Sequence, residues 1–220
     1  MTLRRDAALN REKLIEAART VFAEQGLDVS LDVVAERASV GIATLYRRFP
    51  TRDALIAAAF EDRMAEFVRA AEHALDEPDP WTGFTRFVEH ICEMQTARGV
   101  GDVFTRTLPA APILEEQRER GYGFVVRLIE RAKLAGRLRA DVTPEDLPLV
   151  LMANAGVVEA MGEGAPAASR RLVRVMLDGL RADQAPGADG GSVLPPPIDP
   201  RDMYRALRRA GRRRRPAASA

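Results

Sequence analysis

The residues of this 220-residue chain best suited to chemistry lie in one short run, Gly41-Ile42-Ala43-Thr44-Leu45-Tyr46-Arg47-Arg48. An arginine such as Arg47 can donate two hydrogen bonds to a guanine edge, and apolar groups such as Ile42 and Ala43 can touch thymine methyls. Thr44, Tyr46, Arg48 and, four residues on, Arg52 offer donors for phosphate oxygens. Ser30 and Thr51 add hydroxyls and free backbone amides at helix starts, where anions are favoured. This is binding chemistry directed at a duplex. Signatures of bond-breaking are missing: there is no His-Glu-x-x-His, no Gly-x-Ser-x-Gly and no phosphate-cradling glycine loop. His90 and Cys92, near Glu93, diverge on a helix because they are two residues apart, so we expect no metal and no cofactor.

Short helices must position these residues. Asn10 can cap a first helix, with Leu14, Ala17, Ala18, Val21 and Phe22 at spacings of three and four and Gly26 as its stop. Ser30 caps a second, whose inner face is Leu31, Val34, Ala35 and Ala38. Ser39-Val40-Gly41 breaks the chain before a third helix, Ile42 to Arg47. Phe49-Pro50 ends that helix, because proline disfavours helix at the preceding residue. Thr51 caps a fourth from Arg52 to about Leu75, with Leu55, Ile56, Ala59, Phe60, Met64 and Phe67 facing inward. Two short helices joined by a tight glycine-containing turn follow the helix-turn-helix plan, here over 30–49.

The run Val40-Gly41-Ile42-Ala43-Thr44-Leu45-Tyr46-Arg47-Arg48-Phe49-Pro50-Thr51-Arg52-Asp53-Ala54-Leu55, with Phe22-Ala23-Glu24-Gln25-Gly26, resembles the TetR family of bacterial regulators. The likeness covers about Leu9 to Phe60. Glu130 to Asp146 also resembles C-terminal domains of some actinobacterial members. The resemblance implies a dimeric regulator whose third helix enters the major groove and whose remaining helices bind a ligand and dimerise.

Within the motif, Val40, Leu45 and Phe49 are apolar where they must face the first two helices, so they hold the reader in place. Gly41 is either a close-approach point for the duplex or a plain turn glycine. The arginines are phosphate or base contacts, or solvated surface charge. Arg4 and Arg5 are candidates for an arm in the minor groove, of a kind usually disordered without DNA. Asp32 suits the positive end of the second helix but not a phosphate.

Aromatics make up 5% of the chain, whereas alanine, leucine, valine and arginine are abundant, which points to an all-α protein of about nine helices. A second block starts at Asp79-Pro80. Ile113 to Leu138 reads as one long or broken helix, interrupted near Gly121 and Gly123. Thr143-Pro144-Glu145-Asp146 starts another, running to about Met161, and Ala167 to Leu180 forms the last confident one. Trp81, Phe84, Phe87, Ile91, Met94, Phe104, Tyr122, Phe124 and Met152 are candidate pocket residues, or simply core. Leu147, Leu151, Ala155, Val158, Leu172, Val175 and Met176 are candidates for a dimer interface. The resemblance puts that face between subunits, although packing alone could place it inside one.

Gln184 to Pro200 is rich in Gly and Pro and reads as a flexible linker to a disordered tail. Residues 201–220 carry eight arginines and one aspartate, so residues 1–200 sum to −6 within a whole-chain charge of +1. The Arg212 to Arg215 run either adds nonspecific DNA affinity or is solvated. We thus divide the chain into a DNA-binding unit over 8–68, a ligand-binding and dimerisation unit over 69–183, and a tail over 184–220.

Met1 to Asn10 lacks a following apolar run and reads as no secretory leader. Leu147 to Met161, the most apolar window, is too short to span a bilayer. The lone Cys92 suits a reducing compartment, so we expect a cytoplasmic protein with no membrane partner. The partners expected are an operator duplex, a small-molecule effector and a second copy of the chain. The expected function is transcriptional repression released by that effector. Two competitors are a helical enzyme or carrier that has reused the fold, and a nonspecific nucleic-acid protein relying on its basic tail.

Overall fold

The structure, a computed structural model, describes residues 2–96, 114–184 and 193–212. Phe104 and Arg213 to Arg215 lie outside them. Helices run α1 Thr2–Gln25, α2 Leu31–Arg37, α3 Ile42–Arg48, α4 Arg52–Asp76, α5 Pro80–Thr96, α6 Glu115–Leu134, α7 Asp146–Met161, α8 Ala165–Gly179 and α9 Pro200–Arg212. The one extended pairing among the described residues is an antiparallel bridge between Leu138 and Arg181. The protein is all-α, as its composition implied.

Two apolar cores divide the chain. The first gathers Leu14, Val21 and Phe22 of α1, Leu31 and Val34 of α2, Leu45 of α3, and Leu55, Ile56, Phe60 and Met64 of α4. The second gathers Ala71 and Ala74 of α4 with Phe84, Phe87 and Ile91 of α5, Leu128 and Ile129 of α6, Val150 of α7 and Val173 of α8. The changeover falls on α4 between Val68 and Ala71, so this one helix belongs to both bodies. Arg19 fastens α1 to it: Nε donates to the Ala59 carbonyl at 2.7 Å and Nη2 to Asp62 at 3.1 Å.

The helix ends follow local chemistry. Ser30 and Thr51 accept hydrogen bonds from the amides of Asp32 and Ala54, capping α2 and α4. After α6, Gly136 adopts φ +64°, its N–H bonds the Lys133 carbonyl and that of Arg137 bonds Ala132, the paired bonds of a Schellman stop. The Asp146 carboxylate reaches back to the Thr143 amide at 2.7 Å, satisfying a donor at the entry to α7.

Three expectations need correction. α1 starts at Thr2 rather than after Asn10, because Thr2 to Leu9 contains good helix formers and no Gly or Pro. Arg4 and Arg5 therefore sit on helical backbone and do not form an unstructured arm. α6 passes through Gly121 and Gly123 unbroken. The expected linker and tail contain a helix, α9, and Met203 on it is buried. Among the described residues no helix is long and apolar enough to cross a membrane, and no group of three His, Cys, Asp or Glu side chains could hold a metal.

Candidate functional site

The turn between α2 and α3 orients the candidate reader. Ser39 takes the left-handed conformation at φ 54°, and the Val40 amide closes the turn on the Ala35 carbonyl at 2.9 Å. Leu45 is fully buried and Phe49 nearly so, with Arg11 stacked over the Phe49 ring at 5.7 Å. These two anchors fix the rotation of α3 and turn its opposite face outward.

On that face Ala43, Tyr46 and Arg47 are exposed, three and four residues apart and so on one side, and Arg48 is exposed next to them near the end of the helix. Tyr46 is 50% exposed, unusual for a large aromatic and available to a partner. Arg47 donates to Thr44 Oγ1 at 2.7 Å, which pre-orients the guanidinium along the helix. Ile42, expected at the groove, is half-buried and packs against the first core.

Gly41 sits at the tip in ordinary extended backbone, φ −63°, ψ 141°. A Cβ built there would meet nothing within 4 Å. Neither backbone strain nor internal packing asks for glycine at this position, which is the N-cap of α3, where glycine is favoured over alanine.

Two polar residues do more local work than expected. Ser30 donates its hydroxyl proton to Asp32 Oδ2 at 2.8 Å, so that hydroxyl is engaged within its own cap. Arg52, expected on a phosphate, is half-buried and donates through Nη1 to the carbonyls of Leu27 and Val29 at 2.7 and 2.6 Å. It staples the start of α4 to the turn leading into α2. Thr51 stays exposed.

A cavity of about 430 Å³ opens between α4, α6, α7 and α9. Met64 and Phe67 of α4, Val125 of α6 and Leu147 and Leu151 of α7 form apolar walls, with Met203, Tyr204 and Leu207 from α9. Its polar lining is Glu115, Arg118, Glu119, Tyr122 and Glu145, and the Tyr122 hydroxyl donates to Glu145 at 3.2 Å. Of the expected pocket residues, Tyr122 lies here. Trp81, Phe84, Phe87, Ile91 and Met94 instead form the buried face of α5, where helical spacing alone would put them. Phe124 is half-buried against both cores, and Met152 is exposed on α7. The α9 contribution had a signal in the sequence, since Met203, Tyr204 and Leu207 recur at helical spacing, but the surrounding arginines masked it in a composition reading.

The expected dimer face is split by the structure. Leu147, Leu151 and Ala155 are buried within the subunit, and Val158 is half-buried. Leu172 and Met176 are half-buried, and Val175 is 61% exposed. The outward side of α7 is instead Leu149, Met152, Ala153, Gly156 and Ala160, one register away. Pattern alone could not choose, because α7 is apolar nearly all round.

Cys92 is buried on α5, and burial, then the charge of Glu93, pushes its thiol up to about 12. It is a thiol and no nucleophile at neutral pH.

Residues 14–59 match the family described as bacterial regulatory proteins, tetR family. Residues 79–182 match the SbtR-like transcriptional regulator C-terminal domain. No curated protein matches the chain. Among solved structures it is similar to a TetR transcriptional regulator from Streptomyces coelicolor, at 32% identity over 78% of this chain and 98% of that one, TM-score 0.48. A TetR transcription regulatory protein from Mycobacterium vanbaalenii is 33% identical over 81% of this chain and 99% of that one, TM-score 0.46. The transcriptional regulator FadR from Bacillus subtilis, solved in complex with stearoyl-CoA, is 13% identical over 77% of this chain and 98% of that one, TM-score 0.55, and shares the fold. With both parts of the chain matched and a reading helix turned outward on its two anchors, the chain belongs to the TetR family and is a DNA-binding transcriptional regulator.

Proposed function

We propose that two copies of this chain repress transcription by reading the two halves of a palindromic operator, and that a small molecule in the cavity releases them. Ala43 and Arg47 meet base edges, and Thr44, Tyr46, Arg48 and the amides at Ser30 and Thr51 meet phosphates. Gly41 lets the backbone approach the duplex closely.

Phe67 carries the reading. It packs against both cores and also lines the cavity, on the helix the two bodies share. A ligand pressing on Phe67 therefore acts on the rod that holds α3. In a dimer the two reading helices must lie about 34 Å apart to enter successive major grooves. A ligand that binds better to a wider or narrower spacing shifts the population away from DNA. The outer face of α7 and α8, with Met152, Ala153, Gly156 and Val175, suits a second copy because small residues beside apolar ones let helices pack closely.

The test is a fluorescence-anisotropy titration of the chain on its own promoter region at fixed salt. Sequence-selective binding that saturates at two chains per site supports the reading. Binding that is salt-sensitive yet indifferent to sequence overturns it.

A further inference from the structure

Two walls of the cavity, α6 and α7, come from the segment that matches the C-terminal family domain; a third comes from α4, and the fourth, α9, from beyond that segment. The C-terminal family match ends at residue 182, whereas α9 spans Pro200–Arg212. Met203, Tyr204 and Leu207 form one stripe on this arginine-rich helix, and all three line the cavity. Met203 is only 5% exposed. The guanidinium of Arg118, paired with Glu115, lies 4.7 Å from the centre of the Tyr204 ring.

The approach to α9 is held in place. The Leu194 amide donates to Asp141 Oδ2 at 3.1 Å, and Arg139 grips the same carboxylate through Nε at 2.9 Å and Nη2 at 2.8 Å. Leu194 also packs on the second core. The chain is thus anchored six residues before α9 begins. A helix that merely plugged the groove would leave no room beneath it. Here about 430 Å³ remains with α9 seated, within the 300–1,000 Å³ typical of small-molecule sites.

We propose that α9 is a tethered lid on this cavity, and that Met203, Tyr204 and Leu207 are ligand-binding residues for an apolar, neutral or cationic molecule. The proposal rests on the effector reading above. The ligand class follows from the lining. The walls are apolar, and three carboxylates, Glu115, Glu119 and Glu145, face one arginine that is already paired with the first of them. An anionic group there would meet the like charges of exposed Glu119 and half-buried Glu145, which repel it, beside an arginine already paired with Glu115. A lid that meets the body along one apolar stripe can also open without unfolding the domain.

The test compares the full chain with a chain ending at Asp199, which keeps the Leu194 anchor, and with full-length Met203→Glu. The probes are Nile red as a neutral apolar dye, thioflavin T as a cation and anilinonaphthalene sulfonate as an anion, followed by fluorescence, with operator binding measured alongside. The full chain should bind Nile red and thioflavin T, and both altered chains should bind them about tenfold or more weakly, the loss expected when apolar contacts to a ligand are removed. All three proteins should keep the same helical circular dichroism and the same operator affinity without dye. Equal or tighter dye binding by the chain ending at Asp199 overturns the lid while leaving the effector cavity standing. Binding of the anion as tight as that of the cation overturns the ligand class. A full chain that binds operator but neither Nile red nor thioflavin T overturns the effector reading, and the lid with it.

Discussion

Phe67 on α4 and Gly121 on α6 meet so closely that a Cβ on the glycine would lie 2.6 Å from Phe67 Cε1. A mid-helix glycine costs about 1 kcal/mol relative to alanine, so the contact must offset that cost. It does so where the two cores adjoin on α4. Gly121→Ala should therefore destabilise the protein by about 1–3 kcal/mol through overpacking. Gly123→Ala, where a Cβ meets nothing within 4 Å, should stabilise it by about 0.5–1 kcal/mol. Urea melts of the two variants check this, and changes of the same sign would count against it.

Gly41→Ala separates folding from DNA contact. The site has open space and an unstrained backbone, and the poorer N-cap that alanine makes should cost no more than about 1 kcal/mol of stability. Operator affinity should fall by about 1–3 kcal/mol if the backbone touches the duplex, the range for a lost specific contact. Unchanged affinity would mean that the glycine has no part in the interface.

Arg47 and Arg52 should fail in opposite ways. Arg47→Ala should fold normally, lose about 1–3 kcal/mol of operator affinity and relax sequence preference at one base pair. Arg52→Ala removes two hydrogen bonds from a charged donor to backbone carbonyls, so its main effect should be on stability, about 1.5–3 kcal/mol. A differential melt beside a binding titration distinguishes them.

Charge on the outer face of α7 and α8 should break the pair without unfolding the subunit. Val175 and Met152 are exposed, so Val175→Glu with Met152→Glu should sediment as a folded monomer and bind operator far more weakly. Leu147→Glu is the contrast. That side chain is 8% exposed, and a charge there should cost folding itself. A double variant that remains dimeric would move the interface elsewhere.

Acid should loosen the approach to the lid. The Arg139 hydrogen bonds hold the Asp141 carboxyl well below the usual carboxylate range, helped by the Leu194 amide and the arginine's charge and opposed by burial. A depressed carboxyl stabilises the fold fully above its unfolded value, about 3.9, and that contribution fades as pH drops from there toward the folded value. Asp141→Asn should therefore cost about 1.5–3 kcal/mol at neutral pH, the range for hydrogen bonds to a charged group. It should also flatten the acid limb of a stability-against-pH curve below about pH 4. An unchanged limb would place the acid sensitivity in other carboxylates.

The α1 to α4 region was legible because its signals are local. Caps at Ser30 and Thr51, the break at Ser39 to Gly41 and the Phe49-Pro50 stop each act within a few residues, and anchors such as Leu45 recur with the helix period. A short helix with one buried leucine has a single face to show, which placed Ala43 and Arg47 outward, whereas Ile42, expected beside them, packs against the first core. The partners of Arg52, the carbonyls of Leu27 and Val29, lie more than twenty residues away and leave no mark on its sequence neighbours.

In the second body the balance reverses. Leu147 and Met152 sit on one nearly uniform apolar helix, and which of them faces the cavity or the solvent depends on where α5, α6 and α8 dock. Likewise α9 is seated in the cavity through long-range packing of three side chains that composition hid among arginines. Local sequence determined where the chain turns and which short helix stands outward, since capping and periodicity are properties of adjacent residues. Only the tertiary structure decided which apolar side chains became core, cavity or outer face, because burial is settled by the neighbours that folding brings from elsewhere in the chain.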